Sequence, residues 1–462
     1  DAGNRATTFG YDANANPTLV TDAQLRPSTQ GFDALNRLAR SLQDSAGVAA
    51  ETLMQYDALD NVTRVTDPKG LHTSYQYNGF GDLLVLASPD TGSATMTVDA
   101  AGNMATRTDA RGVTATYSYD ALNRVTSIAY PDPAQDVAVV YDVAPAACAT
   151  TERFAIGRVG RVVHPGGTTQ YCHDRFGQVT RKIQTINNVA TTLRYTYTKS
   201  GRLASVIYPG GAVADYVRDA QGRITQVGLK RGTLARQVLV KEVGHAPFGP
   251  ITGWTYGNGR RLNRPHDKDY RVTSVSDAAA GGLKLGFGYD AVGALTQLRS
   301  GASGGVLANY TYDGMGRLLQ AADAAGMPTH TYGWDATGNR LQAGDDGGTL
   351  AYHYPATSHR LANVGGLART YDAAGNTTQM KGFTYAYNNA GRLGQVKQGD
   401  TSLGIYRYNH RGERVLRQTG GKNTTTLYDE SGQWLGEYSA GGTPLQQVVW
   451  LENYPIAVFS ES

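Results

Sequence analysis

Aspartate is the first residue type whose placement invites a chemical reading. It recurs at Asp57, Asp99, Asp120, Asp290, Asp313, Asp335, Asp372 and Asp429, each time directly after an aromatic residue or a valine. Two carboxyls held roughly 5–10 Å apart across a cleft would suit glycoside hydrolysis, and aspartates on neighbouring hairpins could come that close. A catalytic pair should be an exception to a repeat, however, and here the same residue serves every unit. Asp is also the residue that starts a turn, by accepting backbone N–H bonds two residues on. The repeat aspartates are read as turn formers, and no catalytic residue is nominated.

Other constellations are weaker. Cys172, His173 and Asp174 with His164 suggest a metal site, but adjacent ligands on a strand point to opposite faces, and zinc normally takes four ligands at recognisable spacings. No metal or cofactor is implied. Cys148 and Cys172 are the two cysteines, 24 residues apart. They could close the intervening loop as a disulfide or pack as two small free thiols; both readings stay open. Gly301-Ala302-Ser303-Gly304-Gly305 is not followed by Gly-Lys-Ser/Thr, so it reads as a hairpin tip and not a phosphate loop. Tyrosine is abundant, 29 against 9 phenylalanines and 4 tryptophans. Ladders such as Tyr75/Tyr77, Tyr117/Tyr119 and Tyr310/Tyr312 could stack on sugars. The competing role is packing across strands within a single-layer wall, at roughly 0.2–1 kcal/mol per pair.

The elements that hold these residues follow from self-comparison. Tyr56-Asp57, Tyr77-Asn78, Val98-Asp99 and Tyr119-Asp120 start units 21 residues apart, and the theme returns at Tyr289, Tyr312, Trp334, Tyr371, Tyr387, Tyr408 and Tyr428. Before each Asp or Asn the chain alternates, as in Thr114-Ala115-Thr116-Tyr117-Ser118-Tyr119, which is a strand signal. Glycine or asparagine four to five positions on supplies the left-handed residue of a short hairpin loop. The return strand alternates again, as in Arg124-Val125-Thr126-Ser127-Ile128. The fold class is all-β, tandem hairpins in one long curled ribbon. Helical periodicity is essentially absent, with short candidates only near Asp33 to Leu42. The domain organisation is a single array over 1–462, with irregular insertions at about 143–156 and 228–270.

Composition narrows the function classes. The net charge is +4, from 43 basic against 39 acidic residues. No basic run of five or more appears, which argues against nucleic acid as a partner. No apolar stretch approaches the ~18–20 residues of a transmembrane helix.

The Tyr-Asp units resemble the tyrosine-aspartate repeats of RHS (rearrangement hot spot) proteins. Ile156-Gly157-Arg158-Val159 and the closing Val448-Val449-Trp450-Leu451-Glu452-Asn453-Tyr454-Pro455-Ile456-Ala457-Val458 are similar to recurrent phrases of that family. The resemblance implies a β-ribbon spiralling into a hollow shell, which in bacterial members encloses a C-terminal toxin; related repeats occur in animal teneurins. It implies a structural role without catalysis, a secreted or cell-surface bacterial location, and the remainder of an RHS chain with its enclosed effector as partners. Carbohydrate binding through the tyrosine ladders is the alternative. Asp67-Pro68-Lys69-Gly70-Leu71 has the form of the family's self-cleavage motif, but it lies between two ordinary repeats and reads as a turn. The expected roles are architectural. Tyr56, Tyr77, Tyr119, Tyr312 and Tyr408 form the wall ladder; Asp57, Asp120 and Asp313 start turns; Gly81, Gly102 and Gly316 hold left-handed positions. At ~4.8 Å per strand the ribbon would make about one turn of a container ~70 Å across, and the chain would be an excerpt of a larger protein.

Overall fold

Alternation of branched or aromatic residues with small polar ones, broken every ten residues or so by Asp, Asn and Gly, leaves the backbone one economical solution, a meander. The computed structural model, which describes residues 4–460, has 42 strands, from β1 (Thr8–Tyr11) to β42 (Tyr454–Phe459). They belong to a single sheet in which each strand pairs antiparallel with its neighbours in the chain. Two short 3₁₀ turns, Pro133–Gln135 and Thr150–Glu152, interrupt it. Among the described residues no helix is long and apolar enough to cross a membrane. The short helical candidate near Asp33 to Leu42 is instead a turn followed by a strand, Leu38–Gln43. There the Asp33 carboxylate accepts from the backbone N–H of Leu35 and Arg37, which commits the segment to a hairpin.

A ribbon has two edges, and these meet. The Tyr-Asp turns form one edge; the turns that lead into the next repeat, such as 22–26, 67–71 and 109–113, form the other. Lys69 donates to the carbonyls of Pro355 and Ser358, and Arg111 to those of Asn388 and Asn389. The separations run from 292 residues at Asp67–His359 to 229 at Arg231–Ser460. The ribbon therefore returns to itself after about 22 to 25 strands, and at ~4.8 Å per strand one turn measures roughly 115 Å around, about 37 Å across. This corrects the expected single turn of ~70 Å: a uniform spacing says nothing about how strongly a sheet coils. The accessible surface is 23825 Å² for 49.3 kDa, about 1.4 times the ~17,000 Å² of a compact chain that size. A thin wall with two exposed faces accounts for the excess.

The wall is not single-layered throughout. Its largest buried core joins the strand faces of β17 (Val189–Tyr197) to β22 (Ile251–Tyr256) with β39 (Lys422–Tyr428) to β42. Leu193, Tyr195, Val206, Ala214, Val227 and Leu229 meet Leu427, Leu435, Tyr438, Val449 and Leu451 there. The last strands thus pack face to face on strands of the first turn. The expected wall without a covering sheet is corrected over this region, and it is here that the apolar residues concentrate.

Residues 142–158 form a long connection between β13 (Val137–Tyr141) and β14 (Val159–His164). Within it Cys148 is bonded to Cys172 of the neighbouring strand, with Cα atoms 5.5 Å apart and both side chains buried. Closing a loop of 24 residues restricts the unfolded chain by about 3.5 kcal/mol in the chain-entropy view. Replacing both cysteines by serine is expected to lower unfolding free energy by that amount. A urea titration reads this as a lower midpoint, and an unchanged midpoint would show the bond to be idle. Residues 228–270 carry the meander onward through β21 (Gln237–His245), β22 and β23 (Arg261–Asn263).

Candidate functional site

One hairpin shows how the repeat is built. In the turn after Tyr56, Asp57 Oδ1 accepts from the N–H of Leu59 (2.8 Å) and Asn61 (2.9 Å), while Oδ2 accepts from the Asn61 side chain (3.0 Å). These bonds, the Asn61 amide first, hold the Asp57 carboxyl below the ordinary aspartate range. Asp120 and Asp313 repeat the arrangement with Arg124 and Arg317 in place of the asparagine. The strand register shifts just before the tyrosine in each case, at Gln55/Tyr56, Gln76/Tyr77, Ser118/Tyr119, Thr311/Tyr312 and Arg407/Tyr408. That is the bulge of a type I turn closed by a left-handed residue.

Gly81, Gly102 and Gly316 hold that left-handed position, with φ of +85°, +81° and +77°. Elsewhere asparagine does so, Asn36 at +60° and Asn123 at +58°. Nothing lies within 4 Å of a Cβ added at Gly102, so a substitution there meets only backbone strain. Gly102→Val is expected to cost about 2 kcal/mol, and Gly102→Asn much less, because a short polar side chain tolerates this φ and a β-branched one does not. Equal thermal midpoints for the two variants would overturn this account of the turn.

The tyrosines do more than stack. Tyr56 donates its hydroxyl to the carbonyl of Leu38, Tyr119 to Met104, Tyr312 to Leu295 and Tyr408 to Leu393, at 2.7–2.9 Å. Each acceptor opens, or directly precedes, the return strand of the hairpin before, so every hydroxyl staples one repeat to its predecessor. Burial pushes the Tyr312 and Tyr408 hydroxyls upward, keeping them neutral donors. Tyr77 takes the same place in its hairpin, paired with Leu83. The preference for a ring with a polar end is thereby explained: four of the five wall tyrosines reach a backbone carbonyl of the preceding hairpin.

Sequence reasoning missed the arginine four residues after the aspartate. Arg37 pairs with Asp33 (2.8 Å), lies 4.6 Å from the centroid of the Tyr56 ring and donates to the Asp57 carbonyl (2.9 Å). Arg317 does likewise between Asp313, Trp334 and the Asp335 carbonyl. The signal was present in the dipeptides Asn36-Arg37, Asn123-Arg124 and Gly316-Arg317. Asp67 of the Asp-Pro-x-Gly-Leu phrase accepts from the N–H of Lys69 and Leu71, and its Oδ2 lies 2.5 Å from His359 Nε2 of the second turn. It works as a turn former and a cross-turn contact.

The predicted residues thus do not converge on one cleft; they run as a line along one edge, one set per hairpin. The candidate functional feature is the seam between successive turns. It is made by side chains of the connecting turns reaching backbone carbonyls of the Tyr-Asp edge. Between β8 (Leu83–Ser88) to β12 (Val125–Ala129) and the 388–392 turn it leaves a cleft of about 520 Å³, lined by Met96, Tyr117, Tyr130, Arg107 and Arg392.

A spiral of stapled Tyr-Asp hairpins defines a repeat shell. Residues 56–93 and 98–135 match the family model for the RHS Repeat, and residues 268–433 match that of the Teneurin YD-shell; the chain carries RHS and YD-shell repeats over these stretches. No curated protein matches it in sequence. Among solved structures, that of TcdB2-TccC3 is similar with a TM-score of 0.75 and 16% identity, over 97% of this chain and 31% of that one. TcdB2-TccC3 without its hypervariable C-terminal region gives 0.76 and 16%, over 97% and 30%. A mutant Tc holotoxin pore of Photorhabdus luminescens gives 0.73 and 15%, over 96% and 30%. The likeness is one of fold, and this chain spans about a third of the length of those chains.

Proposed function

We propose that the chain is shell wall for a secreted or cell-surface bacterial toxin system, enclosing or presenting an effector polypeptide, with that effector and further RHS ribbon as its partners. The observation that carries this is the return of the ribbon upon itself, with seam bonds between residues 229 to 292 apart and an accessible surface well above that of a compact chain. Such a wall separates an inside from an outside, and sequestration needs nothing more. The likeness in fold to TcdB2-TccC3 and to the Tc holotoxin pore supports the same reading. Small-angle X-ray scattering tests the enclosure. A hollow wall is expected to give a radius of gyration clearly above the ~23 Å of a compact 462-residue chain, and a value at ~23 Å would overturn it. Protease protection of the linked effector in the complete gene product tests the cargo; digestion as fast as that of the free effector would refute it. Glycan binding by tyrosine ladders finds no supporting observation in the structure.

A further inference from the structure

Where the second turn closes over β14, β15 (Gly167–His173) and β16 (Val179–Ile186), the seam changes character. Elsewhere it is made chiefly by Lys and Arg side chains of the connecting turns, such as Lys69 and Arg111. Here it holds two imidazoles, one buried and one half-buried. His164, at the end of β14, is buried, and its Nε2 lies 3.0 Å from Thr169 Oγ1. His410, in the turn after β37 (Thr401–Tyr408), faces it across the seam with ring centroids 6.0 Å apart. The two turns of the ribbon touch closely at this point: the N–H of Gly166 donates to the Tyr408 carbonyl at 3.2 Å, and a Cβ on Gly166 would collide with Val415. Neither Nδ1 of the pair meets an acceptor within the protein.

The groups facing the pair are cations. Lys182 comes from β16, Arg392 from the 388–392 turn, and Arg411 from the 409–413 turn. The nearby carboxylates are engaged with the cations, Glu430 at 3.7 Å from Lys182 and Glu413 at 3.8 Å from Arg411. Lys182 itself is buried and donates to the Tyr428 carbonyl at 2.8 Å. A proton arriving on Nδ1 of either histidine would find a second histidine, buried positive charge and no acceptor.

We propose that this junction is an acid-released latch: neutral His164 and His410 let β37 to β39 close on β14 to β16 near neutrality, and proton uptake in mildly acidic medium frees the C-terminal layer from the wall. Burial, with His410 and Lys182 beside it, pushes His164 down to about 4; burial, with Arg411, Lys182 and Arg392, pushes His410 down to about 4. The sign follows. An opened junction binds protons below the ordinary histidine value near 6.5, and the closed one does so only near 4. Closure is therefore fully favoured above about pH 6.5 and weakens as pH falls from there toward 4. At pH 5 each histidine shifts the open-to-closed ratio about 30-fold.

Hydrogen exchange on the full-length protein, compared as protection factors at pH 7 and pH 5, tests the latch. Peptides from 404–428 and 444–459 are expected to lose at least tenfold in protection, while those from 8–56 hold theirs. H164Q/H410Q should keep its protection at pH 5. Wild-type protection that does not change with pH, or a double variant that loses it in parallel, overturns the proposal. Should the double variant not fold, H410Q alone and NMR titration of the wild-type histidines decide. His164 and His410 resonances titrating near 6.5 in the folded protein overturn it, and titration near 4 sustains it.

Discussion

Val227→Asp is expected to strip the C-terminal strands from the wall. Val227 is fully buried in β20 (Ile224–Lys230) and belongs to the core shared with Leu427, Leu435, Tyr438 and Val449. An aspartate there would be an uncompensated carboxylate in an apolar layer, which costs several kcal/mol or forces the group to stay protonated. The lost valine burial adds roughly 1.5 kcal/mol. Two outcomes separate layer from wall. Limited proteolysis should cut within 404–459 while the first turn resists, and the urea midpoint should fall far more than in Val227→Ala, for which about 1–3 kcal/mol is expected. A Val227→Asp protein as resistant as wild type would mean that the two layers do not depend on each other.

Arg111→Ala is expected to loosen the seam by about 3 kcal/mol. Its guanidinium donates to the carbonyls of Asn388 (2.9 Å) and Asn389 (2.8 Å) across the turn, and grips Asp109 Oδ2 through Nε and Nη2 at 2.9 and 2.6 Å. Both side chains of the pair are about 14% exposed or less, so water shields them poorly. Removing the arginine leaves one shielded carboxylate without its partner and two carbonyls without donors, the combination in which a deletion costs more than the bond itself contributed. Arg111→Lys keeps the charge but not the planar fork and should recover only part of the loss. Hydrogen exchange in the 109–113 and 388–392 turns reads both variants. Faster exchange in Arg111→Ala confined to 109–113 would show that the arginine serves its own turn and not the seam.

The hairpins were legible because their causes are local. Asp57, Asn61 and the left-handed Asp60 lie within five residues of one another, and each turn is closed by bonds among them. The staple was half legible. Tyrosine in excess of phenylalanine asked for a polar partner, but the partner is a backbone carbonyl 15 to 18 residues back, which no side-chain pattern marks. Arg37 and Arg317 were overlooked because an arginine on a polar turn reads as solvated surface until the next ring is seen to lie under it.

From the residues alone came the period, the antiparallel meander, the turn chemistry and the resemblance to RHS repeats, all consequences of hydrogen bonding over short spans. The tertiary structure decided the rest: a turn of about 22 to 25 strands, a seam of cations on carbonyls, a second apolar layer over β17 to β22, and two histidines facing each other at its edge. The seam bonds join residues 229 to 292 apart. Their partners are chosen by the sheet's accumulated twist and coil, to which every strand contributes a few degrees and which no single stretch of sequence encodes.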